Sequence, residues 1–239
     1  PDEEDPMQLA APIYLLKRRA RLMARDSQIP LHRALDRVAG EEGFQTWSHL
    51  AASATHQSPA DAVLRGLAPG ELVLIGARPG QGKTLLGLEL AVKAAALGRR
   101  GYFFTLEFTE CEVATHLATL DQGAEGLVVD TSDEISADHI IDRLEAAPSP
   151  ALVVVDYLQL LDQRRRNPSL DEQVKTLRDY GARTGTILVM ISQIDRRFDV
   201  SAKEMPGVAD IRLPNPVDLA AFDRFFFLHQ GKLQIARAA

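Results

Sequence analysis

The sequence predicts an α/β fold in which a mostly parallel sheet carries helices on both faces, preceded by a small helical module. Three observations lead to this prediction. Short apolar runs alternate with helical stretches from about residue 59 onward. One of these runs, 151–156, is apolar up to its final aspartate, as a strand covered on both faces requires. Before residue 59, apolar residues recur at spacings of three and four, which is typical of amphipathic helices.

The composition is that of a globular chain. Its 239 residues suffice for one sizeable α/β domain and a small appendage. Hydrophobic residues make up 46% and charged residues 25%, which excludes disordered, collagen-like and coiled-coil chains. The formal charge of −6 does not by itself favour a polyanionic partner. No apolar run approaches the roughly 18 residues that a membrane-spanning helix needs, so we expect no membrane partner.

Cysteine usage bears on the compartment. Cys111 is the single cysteine, so the chain can form no internal disulfide. This usage is typical of a reducing compartment, and we expect a cytoplasmic protein. We also expect the Cys111 thiol to be a small buried group rather than a nucleophile.

The first 58 residues predict a helical module that ends in a linker. The acidic opening is expected to be frayed, and helical spacing extends over about 8–55. Pro30 fits the opening turn of the second helix, where its missing N–H is harmless. Residues 56–59 are typical of a linker. The predicted domains are therefore 1–58 and 59–239.

The first predicted helix is basic. Its cationic residues are Lys17, Arg18, Arg19, Arg21 and Arg25. A solvated face beside an apolar stripe explains this pattern, and so does contact with nucleic-acid phosphates or with an acidic partner. The sequence leaves these alternatives open.

Seven apolar runs predict strands, and four amphipathic stretches between them predict helices. The strands are 72–75, 101–106, 126–130, 152–156, 186–191, 225–228 and 233–236. The helices are 83–97, 109–120, 136–146 and 171–184, and Ser136 is the expected N-cap of the third. The last two strands are close together in sequence, so we expect them to pair antiparallel.

Residues 76–84, GARPGQGKT, predict a phosphate-binding loop between a strand and a helix. The first amide groups of such a helix have no backbone partner and together bind an anion. Lys83 can reach the terminal phosphates of a nucleotide, and the Thr84 hydroxyl can hold Mg²⁺. The segment matches the pattern G-x-x-x-x-G-K-[ST], except that Ala77 replaces the first glycine. An ordinary tight turn would not require Lys-Thr at its end. We therefore expect ATP and Mg²⁺ as cofactors, with a binding loop formed by Arg78, Pro79, Gly80, Gln81, Gly82, Lys83, Thr84 and Leu85.

Three polar strand ends are predicted to complete this site. Asp156 follows the most apolar strand and is the candidate magnesium ligand beside Thr84, with Asp130 as a competitor. Glu107 ends a strand that we expect next to the first one, where its carboxylate faces the γ-phosphate and orients water. The alternative for Glu107 is an acid placed for a helix N-terminus. Gln193 is predicted to place its amide beside the phosphates as a polar sensor. The alternative is that Ser192 and Gln193 only form an ordinary turn at the end of the strand.

Taken together, four segments are similar to the RecA-like ATPase domain of DnaB-type replicative DNA helicases. They are ARPGQGKT, FFTLEFT, VVVDYLQLL and ISQIDRR, and the resemblance covers about 64–239. It implies that Lys83 and Thr84 bind phosphate and Mg²⁺, and that Glu107 is the catalytic base. It further implies that Asp156 is the Walker B acid and that Gln193 couples the nucleotide state to DNA-binding loops. A ring hexamer with ATP between subunits, acting on single-stranded DNA, follows from the same resemblance.

The sequence also departs from that family. The helical module does not resemble the primase-binding domain of those helicases, so its protein partner is unknown. The family carries a basic Lys-x-Arg element that reaches the neighbouring ATP site; here Arg237 stands at the lysine position, and the arginine would fall at Ala239. Such an arginine increases the rate of nucleotide hydrolysis by about 10³ to 10⁵-fold. Arg196, Arg197 and Arg212 are the alternatives that the sequence leaves open.

Two basic segments are candidates for DNA contact. Arg164, Arg165 and Arg166 follow the Asp156 strand, whereas Arg196 and Arg197 follow the Gln193 strand and precede Phe198, a candidate for base stacking. Solvated surface arginines are the alternative in both places.

The leading hypothesis is an ATP- and Mg²⁺-dependent P-loop ATPase of the DnaB-helicase type that acts on single-stranded or forked DNA. Two alternatives remain open. One is a RecA- or KaiC-like regulatory ATPase that assembles without unwinding DNA. The other is a nucleotide-gated interaction protein whose helical module recruits a partner. The fold by itself does not choose among these functions.

Overall fold

The structure is a computed structural model that describes residues 13–54, 58–119, 126–146, 150–162, 167–201, 203–213 and 215–237. The chain divides into two compact units. One comprises the residues up to Ala62 together with Gln230–Lys232, and the other comprises Val63–His229 and Leu233–Ala239.

Within the described residues 13–54 of the first unit, three helices surround a small core of their own. They are α1 (Ile13–Asp26), α2 (Leu31–Glu41) and α3 (Trp47–Ala54). Buried side chains from all three helices and from the turn before α3 form this core: Leu16, Ala20, Ala34, Val38, Ala39, Phe44 and Leu50. Pro30 stands directly before α2, at its N-cap.

Helix α4 (Pro59–Gly66) begins inside the segment that the sequence predicts as a linker. The prediction is wrong at Pro59, because Ser58 and Asp61 cap this helix. The backbone N–H of Ser58 donates to Asp61 Oδ2 at 3.1 Å, and the N–H of Asp61 donates to Ser58 Oγ at 3.2 Å. Proline suits the first helical position between two such caps.

A seven-stranded sheet forms the second unit. Its strands are β1 (Leu72–Ala77), β2 (Arg100–Thr105), β3 (Val128–Asp130), β4 (Ala151–Asp156), β5 (Ile187–Gln193), β6 (Arg224–His229) and β7 (Lys232–Arg237). Their order in the sheet is β3-β2-β4-β5-β1-β6-β7, and the pairs from β3 to β6 are parallel. Gln230 and Gly231, both with positive φ, connect β6 and β7. A two-residue hairpin of this type joins antiparallel strands, as predicted.

Helices cover both faces of the sheet, which confirms the predicted fold class. They are α5 (Lys83–Lys93), α6 (Glu110–Thr119), α7 (Ala137–Glu145) and α8 (Leu170–Thr184). Helix α5 packs on one face, against β2 and β4. Buried residues of α7 and α8 belong to the core cluster on the other face, with Leu74, Phe104, Val155 and Met190. Alternate residues of each strand therefore point to opposite helical layers.

The helix ends agree with the predictions except after α5. Ser136 caps α7 by accepting a hydrogen bond from the N–H of His139 at 3.2 Å, as expected. The predicted helix 83–97 changes type instead: α5 ends at Lys93, and a 3₁₀ turn continues over Ala94–Leu97.

The order of the strands corrects one expectation that matters for the site. Strand β2 does not lie beside β1, because β5 and β4 lie between them. The chain crosses over from β1 through α5 to a distant position, and later strands fill the gap. All of these strands are parallel, so their carboxyl ends still meet at one edge of the sheet.

Two further observations bear on the sequence predictions. Among the residues that the structure describes, no helix is both long enough and apolar enough to span a bilayer. Cys111 is exposed, which contradicts its predicted burial. It lies at the start of α6, where Val113 rather than Cys111 is buried.

Candidate nucleotide-binding and hydrolysis site

The loop between β1 and α5 owes its shape to two glycines. Gly80 and Gly82 have φ angles of 78° and 86°, in the left-handed region that side chains with a Cβ rarely adopt. Gly82 is the N-cap of α5, and the amide groups of the first turn follow directly. Pro79 and Gly80 are exposed, whereas Gln81, Gly82, Thr84 and Leu85 are half-buried.

Lys83 and Glu107 meet at the end of this loop. The Lys83 side chain is largely buried, and its Nζ lies 3.4 Å from Glu107 Oε2. The N–H of Glu107 donates to Thr105 Oγ1 at 3.1 Å, which fixes the backbone as it leaves β2. Two intervening strands therefore do not keep Glu107 from the loop, because all the strand ends share one edge.

Asp156 lies at the carboxyl end of β4 and is completely buried. Neither of its carboxylate oxygens accepts a hydrogen bond of ordinary geometry from the described residues. Burial raises the pKa of Asp156 to about 6; the Lys83 ammonium and the Thr84 hydroxyl oppose this rise, and the negative charge of Glu107 adds to it. Lys83, Thr84, Glu107 and Asp156 thus form one electrostatic cluster.

The donor set at Asp156 suits a magnesium ion. Mg²⁺ prefers hard oxygen ligands and is usually held by one or two carboxylates together with substrate phosphates. A buried carboxylate without a hydrogen-bond partner requires an explanation in a folded protein. Asp156 with the Thr84 hydroxyl nearby provides oxygens of this kind beside the loop.

Asp130, the competing candidate, serves a different purpose. It ends β3, which β2 separates from β4. Its Oδ2 lies 3.1 Å from His139 Nε2 and 3.0 Å from Arg143 Nε, and its Oδ1 accepts from the N–H of Ser132 at 2.9 Å. Burial would raise the pKa of Asp130, but these three partners lower it overall. These partners favour Asp156 over Asp130 as the candidate metal ligand.

Gln193 lies beside the start of the loop, since it pairs with Ala77 across β5 and β1. Its Oε1 accepts a hydrogen bond from Arg212 Nη1 at 3.2 Å. The backbone N–H of Arg212 donates to the carbonyl of Gln193 at 2.8 Å. Arg212, which the sequence left open as a trans-acting arginine, thus contacts the predicted sensor.

The sequence reasoning missed Gln159. This residue lies three positions after Asp156, in the 3₁₀ turn Leu158–Asp162. Its Nε2 donates to the carbonyl of Arg212 at 2.8 Å and to Ser192 Oγ at 3.3 Å. The lone amide within the apolar segment DYLQLL was the signal that could have identified it.

Arg78 ties the loop to the segment after β5. Its Nε and Nη2 bind the two carboxylate oxygens of Asp199 at 2.6 to 3.0 Å, and its Nη1 donates to the carbonyl of Ile194 at 2.9 Å. These hydrogen bonds lower the pKa of Asp199. The side chain of Arg78 is thus committed to this segment, and the sequence did not indicate Asp199.

The predicted nucleic-acid residues are only partly described. Arg164, Arg165 and Arg166 lie outside the described residues. Arg196 and Arg197 are exposed in the 3₁₀ turn Arg196–Val200, and 93% of the Arg197 side chain is accessible. Phe198 is buried, with its ring centroid 4.9 Å from that of His229. It therefore cannot stack on a base in this conformation, which corrects the prediction.

Sequence comparisons identify relatives of this chain. Residues 53–127 match the family model "DnaB-like helicase C terminal domain". The chain is 26% identical over 206 residues to the replicative DNA helicase DnaB of Leifsonia xyli subsp. xyli, which covers 71% of this chain and 45% of that protein. A probable plasmid replicative DNA helicase of Chlamydia muridarum is 25% identical over 181 residues, or 61% and 40% of the two chains. The chain thus spans less than half the length of these relatives.

A comparison with solved structures supports the fold. The structure of a DnaB-like replicative helicase, described with its interactions with primase, aligns with 90% of this chain and 66% of its own at a TM-score of 0.57 and 16% identity. The ATPase domain of G40P aligns with 68% of this chain and 70% of its own at a TM-score of 0.54 and 18% identity. These likenesses show a shared fold, which is RecA-like, with a mostly parallel sheet and helices on both faces.

Proposed function

We propose that this chain, which resembles the C-terminal domain of DnaB-like helicases in sequence and in fold, hydrolyses ATP with Mg²⁺ and acts on single-stranded or forked DNA. One observation carries the proposal. Lys83, Thr84, Glu107 and the completely buried Asp156 converge at the end of a glycine-shaped phosphate loop. Each part of this arrangement has a role in phosphoryl transfer.

The loop binds the phosphates. The unpaired amide groups of the first turn of α5 and the positive end of its dipole attract the polyphosphate. Lys83 neutralises the terminal phosphates. Its ammonium group is largely buried, so its attraction for phosphate is screened less than that of a surface lysine.

Thr84 and Asp156 would hold Mg²⁺. When bound, the ion neutralises charge that develops on the β- and γ-phosphates. The raised pKa of Asp156 means that its carboxylate is poorly stabilised by the protein alone, so a divalent cation at this position relieves an unfavourable buried charge.

Glu107 orients the attacking water and accepts its proton. It lies 3.4 Å from Lys83 Nζ, and a lysine in this position contacts the terminal phosphate. Glu107 and Lys83 therefore face the same place, where the terminal phosphate would bind. A water molecule beside that phosphate would lie within hydrogen-bond reach of the Glu107 carboxylate, as a general base requires.

The finer parts of the proposal concern DNA and assembly. The exposed Arg196 and Arg197 follow β5 at the same sheet edge as the ATP site, where they can track a phosphate backbone. We propose a cytoplasmic ring hexamer with ATP between subunits, by analogy with the relatives. Gln193 and its partner Arg212 are proposed to link the ATP site to these DNA-contacting segments.

The proposal is tested by Glu107→Gln, compared with the matched control Glu110→Gln. Glu110 is exposed in the first turn of α6 and has no contact with Lys83. We expect Glu107→Gln to bind a fluorescent ATP analogue with the parental affinity and to hydrolyse ATP about 10² to 10⁴-fold more slowly. The control should retain the parental rate. Equal turnover in the two variants would remove Glu107 from the mechanism.

A further inference from the structure

Helix α1 presents three arginines on one exposed face. Arg18, Arg21 and Arg25 are spaced i, i+3 and i+7, so they lie within about 60° of one another around the helix. All three are exposed. The opposite face of α1 carries Leu16 and Ala20, which belong to the core of the helical unit. We call these three residues the arginine stripe.

The arginine stripe has no acidic partner among the described residues. The neighbouring Arg19 pairs with Glu41 across α1 and α2, with 2.6 Å between Nη2 and Oε2. Asp36 accepts a hydrogen bond from the backbone N–H of Trp47. The stripe itself makes no salt bridge to any described side chain.

The stripe does not serve the stability of α1. Like charges at i, i+3 and i, i+4 destabilise an isolated helix, and both spacings occur within the stripe. The first turn of α1 also lacks an acidic residue that would complement the helix dipole. A helix face that served only for solvation would be more stable if positive and negative side chains alternated along it. Bound anions would remove the repulsion between the arginines.

The three-helix segment 13–54 has a formal charge opposite in sign to that of the whole chain. Residues 13–54 contain seven Lys and Arg residues and four Asp and Glu residues, a formal charge of +3. The complete chain has a formal charge of −6. Positive charge therefore predominates within residues 13–54, although the chain as a whole would repel a polyanion.

An exposed leucine lies within the same face. Leu22 is four residues from Arg18 and is 52% exposed. DNA offers both charged phosphates and apolar sugar or base surface, so it can contact the arginines and the leucine together. A guanidinium group can also donate two parallel hydrogen bonds to the oxygens of one phosphate. The ammonium group of lysine lacks this bidentate geometry.

We infer that the arginine stripe binds the phosphate backbone of DNA. The choice of DNA rests on the proposed function, but the contact itself does not require ATP or the ATP site. The helical unit would then hold the substrate at a second point, in addition to the segments that follow β4 and β5. An acidic protein surface is the competing partner, and the experiment tests whether the arginine stripe binds DNA.

The test uses the full chain with Arg18→Gln, Arg21→Gln and Arg25→Gln combined. Its matched control combines Arg65→Gln, Lys175→Gln and Arg183→Gln, three exposed cations of other helices, which changes the net charge equally. Binding to labelled oligothymidine and to a labelled duplex is measured by fluorescence anisotropy without nucleotide or Mg²⁺. The salt concentration is varied between about 50 and 200 mM.

Loss of three phosphate contacts should reduce the slope of log K against log salt by about 2 for the single strand and about 3 for the duplex. The control should keep the parental slope. Because the stripe is exposed, the melting temperature should not fall. If the triple variant does not fold, Arg21→Gln alone should still lower the single-strand slope by about 0.7.

Three results would overturn the inference. They are parental affinity and slope in the stripe variant, an equal loss in the control, and no binding of either DNA by the parent. The first would exclude DNA as the partner of the arginine stripe. None of these results depends on ATP hydrolysis, so the Glu107→Gln experiment can fail or succeed independently of them.

Discussion

At the scale of single residues, Asp156 is the strongest indicator of a ligand. A buried carboxylate normally accepts hydrogen bonds, and neither oxygen of Asp156 accepts one of ordinary geometry from the described residues. Its pKa of about 6 reflects the free-energy cost of ionising the Asp156 carboxyl group in this buried position. On the proposed function, the protein tolerates this cost because the Asp156 carboxylate would bind a magnesium ion.

The raised pKa predicts how Asp156 affects stability. Its ordinary pKa is 3.8 and its folded value is about 6, so the folded state binds the proton more tightly than the unfolded chain. The contribution of Asp156 to stability is therefore greatest below about pH 4, falls as the pH rises to about 6, and stays low above it. The loss is about 3 kcal/mol, from about two pKa units.

We therefore expect Asp156→Asn to be more stable than the parent at pH 7.5, by up to about 3 kcal/mol, and of similar stability near pH 4. Urea unfolding of the two proteins at both pH values measures this difference. Asp130→Asn is the control for which we expect the opposite change in stability, because the partners of Asp130 lower its pKa. It should be destabilised at pH 7.5. Equal destabilisation of both variants would contradict this account of Asp156.

The same group predicts a pH dependence of magnesium binding. Below about pH 6 a proton competes with Mg²⁺ for the Asp156 carboxylate. The Mg²⁺ concentration that gives half-maximal ATP hydrolysis should rise by up to about tenfold for each pH unit below 6. Rate measurements at several Mg²⁺ concentrations between pH 5 and 8 test this. A half-maximal concentration that stays constant down to pH 5 would show that Asp156 does not bind the ion.

At the scale of elements, the placement of α5 depends on how closely it approaches the sheet. A Cβ atom at Gly101 in β2 would lie 1.9 Å from the carbonyl oxygen of Ala91 in α5. A Cβ at Gly87 in α5 would lie 2.5 Å from Ile191 Cδ1. These two glycines let the helix that carries the phosphate loop pack directly on the sheet, which positions Lys83 at its start.

Gly101→Ala should therefore be strongly destabilising. The atom in the way belongs to the backbone of α5 and cannot move without displacing the helix, so we expect a loss of about 3 kcal/mol or more. Chemical denaturation measures it. Gly207→Ala is the control, since the nearest atom to its Cβ would be 3.9 Å away, and it should change stability by less than about 0.5 kcal/mol. Similar effects of the two substitutions would refute the close approach.

The strands and helices of the second unit were predictable, because their signals are local. Apolar runs of uniform character gave β1, β4 and β5, and Ser136 marked the start of α7. The position of β2 in the sheet was not predictable, since strand order depends on which crossovers pack best and not on any one strand. The expectation for Glu107 nevertheless led to the right edge of the sheet.

Side-chain environments outside the motifs were harder to predict. Phe198 and Cys111 were assigned the wrong exposure, because each lies in a short polar segment where one turn decides which residue is buried. Gln159 and Asp199 were missed because their partners, Arg212 and Arg78, are distant in sequence. Long-range polar contacts of this kind leave no periodic pattern.

At the scale of the whole molecule, the two units carry different properties. The candidate ATP site is formed by residues of the second unit alone, whereas the arginine stripe lies on helix α1 of the first. An enzyme that acts on DNA could use the first to hold its substrate and the second to move it. The regulatory alternative requires the ATP site but no movement on DNA.

A forked DNA substrate separates these functions. If the proposed function is right, single-stranded DNA increases the rate of ATP hydrolysis and the parent unwinds the fork only with ATP and Mg²⁺. Glu107→Gln should bind the fork without unwinding it. If DNA does not change the rate of ATP hydrolysis and the parent does not unwind the fork, the results favour the regulatory ATPase. Measuring the mass in solution with and without ATP tests the proposed hexamer on the same samples.

The most direct test of the central claim is a calorimetric titration of the parent, Lys83→Ala and Asp156→Asn with a non-hydrolysable ATP analogue, with and without Mg²⁺. We predict that the parent binds one nucleotide per chain and binds it more tightly with Mg²⁺. Lys83→Ala should lose most of this affinity, and Asp156→Asn should lose only the gain from Mg²⁺. No uptake of nucleotide by the parent, or unchanged binding by Lys83→Ala, would contradict the account.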